Sequence, residues 1–146
     1  MTMKTLLSLL IFALVSSNAI AEQVLENDQY LIHYNAFNST VIDTEAAKKN
    51  NLIRSKYSAM INIAVLKKNT DGTTSAIKSF NSGTVENLLR QQQQLTFQTI
   101  DEGKAIYYIA SFSFADQEVM NFTVQVQPDP NQSPITLTLS QKFYVD

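Results

Sequence analysis

The sequence predicts an all-β protein: an antiparallel, immunoglobulin-like β-sandwich of seven to eight strands with one short helix. Three observations predict it. The stretch 105–114 reads with period two, placing Ile106, Tyr108, Ala110, Phe112 and Phe114 on one face and Tyr107, Ile109, Ser111 and Ser113 on the other, which is strand geometry on a half-buried pleated surface. Similar alternating runs recur along the chain, separated by turn signals. No segment between them has the length of a crossover helix, which disfavours a parallel α/β sheet. A closed eight-stranded barrel satisfies the same pattern. A membrane barrel does not fit well, because eight spans of about ten residues would consume nearly the whole chain.

Taken in order, residues 22–27 form a short polar lead. Tyr30, Ile32, Tyr34 and Ala36 then alternate with Leu31, His33, Asn35 and Phe37 in a first strand with apolar residues on both faces. Asn38-Ser39-Thr40 has turn character. Residues 43–49 are the one helical piece, with Asp43 placed to cap the first turn and Glu45 four residues before Lys49. A second strand spans about residues 55–66, with Tyr57, Ala59, Ile61, Ile63 and Val65 on one face, and residues 67–74 turn around Asp71-Gly72. Residues 75–81 form a weaker strand, and Gly83 marks a bend or bulge. Residues 84–94 are an irregular strand or edge that continues into 95–100. Asp101-Glu102-Gly103-Lys104 makes a tight hairpin turn into the 105–114 strand. Met120, Phe122, Val124 and Val126 alternate with polar partners, the loop 128–134 holds all three prolines, and Ile135, Leu137, Leu139 and Phe143 mark the last strand.

The first 21 residues stand apart from this fold. Lys4 supplies a positive n-region, an apolar run extends from Leu6 to Val15, and Ala19-Ile20-Ala21 gives a small-x-small cleavage signal, so the segment is expected to be a cleaved secretory signal peptide. The run falls short of the roughly 20 apolar residues that a spanning helix needs. Cleaving 21 of 146 residues leaves one domain of 125, and losing Lys4 moves the formal charge from −2 to −3. No basic stripe exists for nucleic acid. An exported chain with no cysteine has neither disulfides nor a lipoprotein anchor, and a Gram-negative periplasmic setting fits best. The mature protein is not expected to span a membrane.

Most chemistries lack their parts. His33 is the only histidine and no cysteine accompanies it, so an ordinary zinc site cannot form. Arg54-Ser55-Lys56 forms a compact basic cluster able to take a carboxylate or phosphate, or to sit in solvent beside its strand. Asp129-x-Asn131-x-Ser133 has the opening spacing of a calcium loop without its glycine or distal glutamate. Three glycines cannot build a phosphate-cradling loop. No metal or cofactor is expected. Tyr107 and Ile109 lie opposite the Phe112 face, either covered by the helical piece or exposed as a partner site.

His33-Tyr34-Asn35-Ala36-Phe37-Asn38-Ser39-Thr40, Arg54-Ser55-Lys56, Asn62-Ile63-Ala64-Val65, Asn87-Leu88-Leu89, residues 102–108 from Glu102 to Tyr108, and the ending Phe143-Tyr144-Val145-Asp146 together resemble domain of unknown function 4426, a family of small exported proteobacterial proteins. Where the family tends to continue Asn-Leu-Leu with Gly, this chain has Arg90. The resemblance implies a periplasmic setting, is compatible with a β-sandwich, and implies no activity and no catalytic residues. The leading expectation is therefore a non-enzymatic module that binds a protein or another envelope component. The alternative is a small-ligand carrier or sensor using His33, Tyr34, Asn35, Asn38 and Arg54 at one sheet end. A third reading is a hydrolase in which His33 works with a distant serine and carboxylate.

Overall fold

The alternating runs become strands in the computed structural model, which describes residues 22–146; the expected signal peptide lies outside the described residues. The strands are β1 (Gln23–Glu26), β2 (Tyr30–Asn38), β3 (Ser58–Lys68), β4 (Thr74–Ala76), β5 (Phe80–Glu86), β6 (Gln92–Leu95), β7 (Gln98–Asp101), β8 (Ile106–Ser113), β9 (Glu118–Gln127) and β10 (Ile135–Phe143). A 3-10 turn (Ser39–Val41) and one short helix, α1 (Thr44–Lys49), lie between β2 and β3. The strands form two antiparallel sheets. One has the order β1-β2-β3-β8-β7, with β4 beside the far end of β3. The other has the order β10-β9-β5-β6.

Ten strands stand where seven to eight were expected, and three local effects account for the excess. The polar lead forms β1 because Gln23–Glu26 pairs in register with Leu31–Tyr34 of β2, despite its weak pattern. The weak 75–81 run divides into β4 and the start of β5. Residues 92–101 pass from one sheet to the other, so a single expected edge becomes β6 and β7. Gly83 makes no bend. It sits inside β5 opposite Val124 of β9.

The even-numbered face of β8 packs inward as expected, with Tyr108, Ala110 and Phe112 buried. Ile61, Ile63 and Val65 of β3 join it from the same sheet, and Val85, Phe122, Val124 and Leu137 close the core from the other. Phe143 meets Phe112 edge-on at 5.3 Å between ring centroids and lies 5.4 Å from Phe114. The hydroxyl of Tyr108 accepts a hydrogen bond from the Ser79 backbone N–H at 2.9 Å, so its polar end is satisfied within the fold.

The helix differs from expectation in detail. The Asp43 side chain makes no capping hydrogen bond, and the Asp43 carbonyl instead accepts from the Ala47 N–H at 2.9 Å. Lys48 and Lys49 occupy the last turn, where cations favour the helix dipole. Among the described residues the ion pairs are Lys68–Glu26 and His33–Glu22, so Glu45 and Lys49 do not pair.

Candidate functional site

The pleat of β2 decides which motif side chains can meet. His33 and Asn35 point to the outer face of the six-stranded sheet. Tyr34 points inward and packs against the core. His33 is paired across the ladder with Ala64 of β3 and Val24 of β1, and Asn35 lies opposite Asn62. Tyr34 is therefore on the other face from His33, and the sheet does not bring the two side chains together.

The end of the first motif is committed to structure. Asn38 Nδ2 donates to the Tyr144 carbonyl at 2.8 Å, and Thr40 Oγ1 donates to Asp146 Oδ2 at 2.6 Å. Hydrogen bonds from Thr40 and then Asn38 hold the Asp146 carboxyl below its ordinary range. A lowered carboxylate favours the tethered state above its unfolded pKa, and that contribution is lost as pH falls through the folded value.

Ser39 is fully buried. Its hydroxyl donates to the Ser55 carbonyl at 2.7 Å and accepts from the Ser55 N–H at 2.8 Å, with Ser58 Oγ also 2.8 Å away. Arg54 donates to Thr44 Oγ1 at 3.0 Å and to the Thr40 carbonyl at 3.1 Å. Arg54 and Ser55 thus tie the helical segment to the end of β2. Ser39→Ala leaves the Ser55 amide and carbonyl without that partner and is expected to cost about 1–3 kcal/mol of unfolding free energy. Urea unfolding measures it, and a loss below about 0.5 kcal/mol would show that the three serines are not coupled.

The outer face carries two hollows that meet at Tyr107. The first, of about 240 Å³, is lined by Glu22, His33, Ala64, Leu66, Lys104 and Tyr107, among others. The His33 Nδ1 lies 3.5 Å from Glu22 Oε1, with the two side chains 29% and 58% exposed, an ion pair only when the imidazole is protonated. No serine lines this hollow, so the arrangement supplies no hydroxyl nucleophile of the kind a serine hydrolase needs beside the ring. The second hollow, of about 210 Å³, lies under the segment from the 3-10 turn through α1. Ile42, Ala46 and Leu52 face Asn62, Tyr107 and Ile109 across it. Both Tyr107 and Ile109 are half-buried, so the helical segment covers this face in part. The Asn62 side-chain oxygen is buried without a hydrogen-bond partner.

Of the five residues singled out in the sequence, His33 alone lines the hollows at Tyr107. Asn35 shares its face, Tyr34 faces the core, and Asn38 and Arg54 hold the tail and the helix. Lys104 was read only as part of the 101–104 turn and of the 102–108 family stretch, and Glu22 only as part of the polar lead; neither was singled out as a site residue. The phase of Tyr107 against the Phe112 face was the one sequence sign of this surface. The loop 129–133 explains itself locally: Asp129 Oδ1 accepts from the Asn131 N–H at 2.9 Å and the Asp129 carbonyl accepts from the Gln132 N–H at 3.1 Å, a side-chain-capped turn.

The sequence model of the family described as Domain of unknown function (DUF4426) matches residues 24–146. A crystal structure of a DUF4426 family protein from Pseudomonas aeruginosa superposes with a TM-score of 0.73 at 26% identity, covering 86% of this chain and 96% of that one. FetP from a uropathogenic Escherichia coli strain, expressed recombinantly in the periplasm, gives 0.61 at 16% identity over 85% of this chain and 94% of its own. A copper-bound variant of FetP gives 0.59 at 16% identity, covering 84% and 95%. At that identity the FetP likeness shows the fold alone. A search of curated proteins gave no match.

Proposed function

This chain belongs to the DUF4426 family, and on that premise we propose that it is an exported periplasmic module without catalytic activity that binds a protein partner on the outer face of its six-stranded sheet. The observation that carries this reading is the pair of hollows joined at Tyr107. A carrier for a free small molecule uses a concave site of about 300–1,000 Å³ that buries most of its ligand. The hollows here lie open on the surface on either side of Tyr107 and do not enclose a ligand, a form suited to side chains presented by another protein. The apolar floor of Ala64, Leu66 and Ile109 supplies burial, and His33, Glu22 and Lys104 form a polar rim, the division seen at protein interfaces.

The copper of the FetP variant is not carried over. The described residues contain no group of three His, Cys, Asp or Glu side chains placed to hold a metal ion, and among the described residues no helix is long and apolar enough to cross a membrane. A photo-crosslinking residue at position 107, tested in envelope preparations against the same residue at Phe80 on the other sheet, is expected to give a discrete adduct at 107 and none at 80. The same adducts at both positions, or none at 107, would overturn the reading.

A further inference from the structure

The strand edges of the sandwich are not alike. β1, β6 and β7 are four residues long each, and β4 beside β3 is three. β10 runs for nine residues and pairs with β9 at every position from Ile135 to Phe143, without a bulge. Among the described residues, no backbone N–H or carbonyl of β10 has a partner outside β9. The strand therefore offers a long open row of donors and acceptors on the side away from β9.

The two flanks of the sandwich differ in the same way. On one, the chain itself passes from β6 to β7. There Gln93 of β6 binds the Ser113 backbone of the other sheet, accepting from its N–H at 2.9 Å and donating to its carbonyl at 2.8 Å. That flank is closed. On the other flank, Gln141 Nε2 of β10 reaches across to the Ala36 carbonyl of β2 at 3.0 Å. A hollow of about 310 Å³, lined by Gln23, Ala36, Asn38 and Gln141 among others, stays open beside it.

Proteins commonly protect an edge by brevity, charge, proline or a bulge. β1 and β7 are short and carry Glu26 and Asp101. Residues 135–141 of β10 contain no charge, no glycine and no proline, with Pro134 before them and Lys142 after. An uncharged run of threonine and branched apolar residues favours pairing with a further strand, and nothing within this run opposes it.

We propose that two copies of this chain pair antiparallel through β10 about a twofold axis at Thr138, joining their four-stranded sheets into one of eight strands. The strand's own sequence selects a second copy. Thr138 is the midpoint of the uncharged stretch, so an axis there pairs all seven residues among themselves. Leu137 then falls opposite the second copy's Leu139 on the inward face, and the exposed Thr136 falls opposite its exposed Ser140 on the outward face, a hydroxyl pair of the kind that stabilises neighbouring strands. Ile135 of the second copy falls opposite Gln141, beside the open hollow. Lys142 lies beyond the stretch, opposite the second copy's Pro134, so the two lysines stand at opposite ends and do not meet. The contact uses the same edge of both copies and closes on itself. β10 belongs to the other sheet from the hollows at Tyr107, so either proposal stands if the other fails.

The chain has no cysteine, so a single introduced thiol reports on its own surroundings. Directly opposed residues of an antiparallel pair have Cα atoms about 4.5–5.5 Å apart, within disulfide reach. Under mild oxidation of the purified protein, Thr138→Cys is expected to give a disulfide-linked dimer. Thr123→Cys, exposed on the same face but one strand inward on β9, is expected to give none. Sedimentation equilibrium of the unaltered protein is expected to give twice the chain mass. Thr136→Lys with Ser140→Lys sets like charges opposite one another at two places and is expected to weaken the association by about tenfold. Thr136→Lys with Ser140→Asp sets unlike charges there and is expected to keep it, with circular dichroism checking that both variants are folded. A monomer at about 100 μM, equal effects of the two charge pairs, or a disulfide that forms no faster at position 138 than at 123 would each overturn the proposal.

Discussion

Replacing Phe143 by alanine is expected to remove about 3–5 kcal/mol of unfolding free energy, enough to unfold a marginally stable domain of this size. Phe143 is 2% exposed, near the end of the last strand. Its ring lies edge-on to Phe112 at 5.3 Å and to Phe122 at 6.3 Å, and tilted to Phe114 at 5.4 Å. Truncation loses the transfer energy of the ring and leaves a cavity whose walls are themselves aromatic and held in two different sheets, so little collapse can refill it. Phe143→Leu keeps most of the volume and is expected to cost less than half as much. Guanidinium unfolding read by far-ultraviolet circular dichroism gives both values. A Phe143→Ala loss below about 1.5 kcal/mol would mean that the four-ring cluster is not a unit.

Gly83→Ala is expected to cost about 3 kcal/mol or more, the upper end for an overpacked site. A methyl group built at Gly83 would lie 2.4 Å from the Thr123 carbonyl oxygen and 2.9 Å from Val124 Cα. Both are backbone atoms of β9, which is hydrogen-bonded on both sides, and cannot swing away as a side-chain end can. Relief requires β5 and β9 to separate where Val85 and Phe122 pack into the core. A melting temperature within a few degrees of the parent would show that the strands part more easily than this geometry implies.

Gly83 also shows where the sequence ran out. A glycine in a strand run signals either a bulge or a close backbone approach, and only the pairing partner distinguishes them. The alternation of residues 106–113 and 118–127 was legible because each strand buries one complete face. β1 was not, because Gln23–Glu26 owes its structure to register with β2 rather than to its own pattern. The change of sheet between Leu95 and Gln98 was hidden for the same reason: nothing in Thr96-Phe97 states which sheet receives the next strand. At the candidate site, His33 and Tyr107 were visible singly, but their shared hollow depends on β3 lying between β2 and β8. Asn38-Ser39-Thr40 read as a turn, with Asn38 a candidate ligand residue, and its structural role was hidden because its hydrogen-bond partners lie in the 55–58 segment and in the final three residues, far away in sequence.

That last arrangement bears on when the domain can close. The bonds from Asn38 to Tyr144 and from Thr40 to Asp146 each bridge 106 positions, and Phe143 is a wall of the core. A chain in which residues 135–146 are not yet in place lacks the strand that completes one sheet and the ties that fix the end of the other. Contacts this far apart in sequence form late. Native closure of the domain therefore waits on its last strand, β10, and on the residues that follow it.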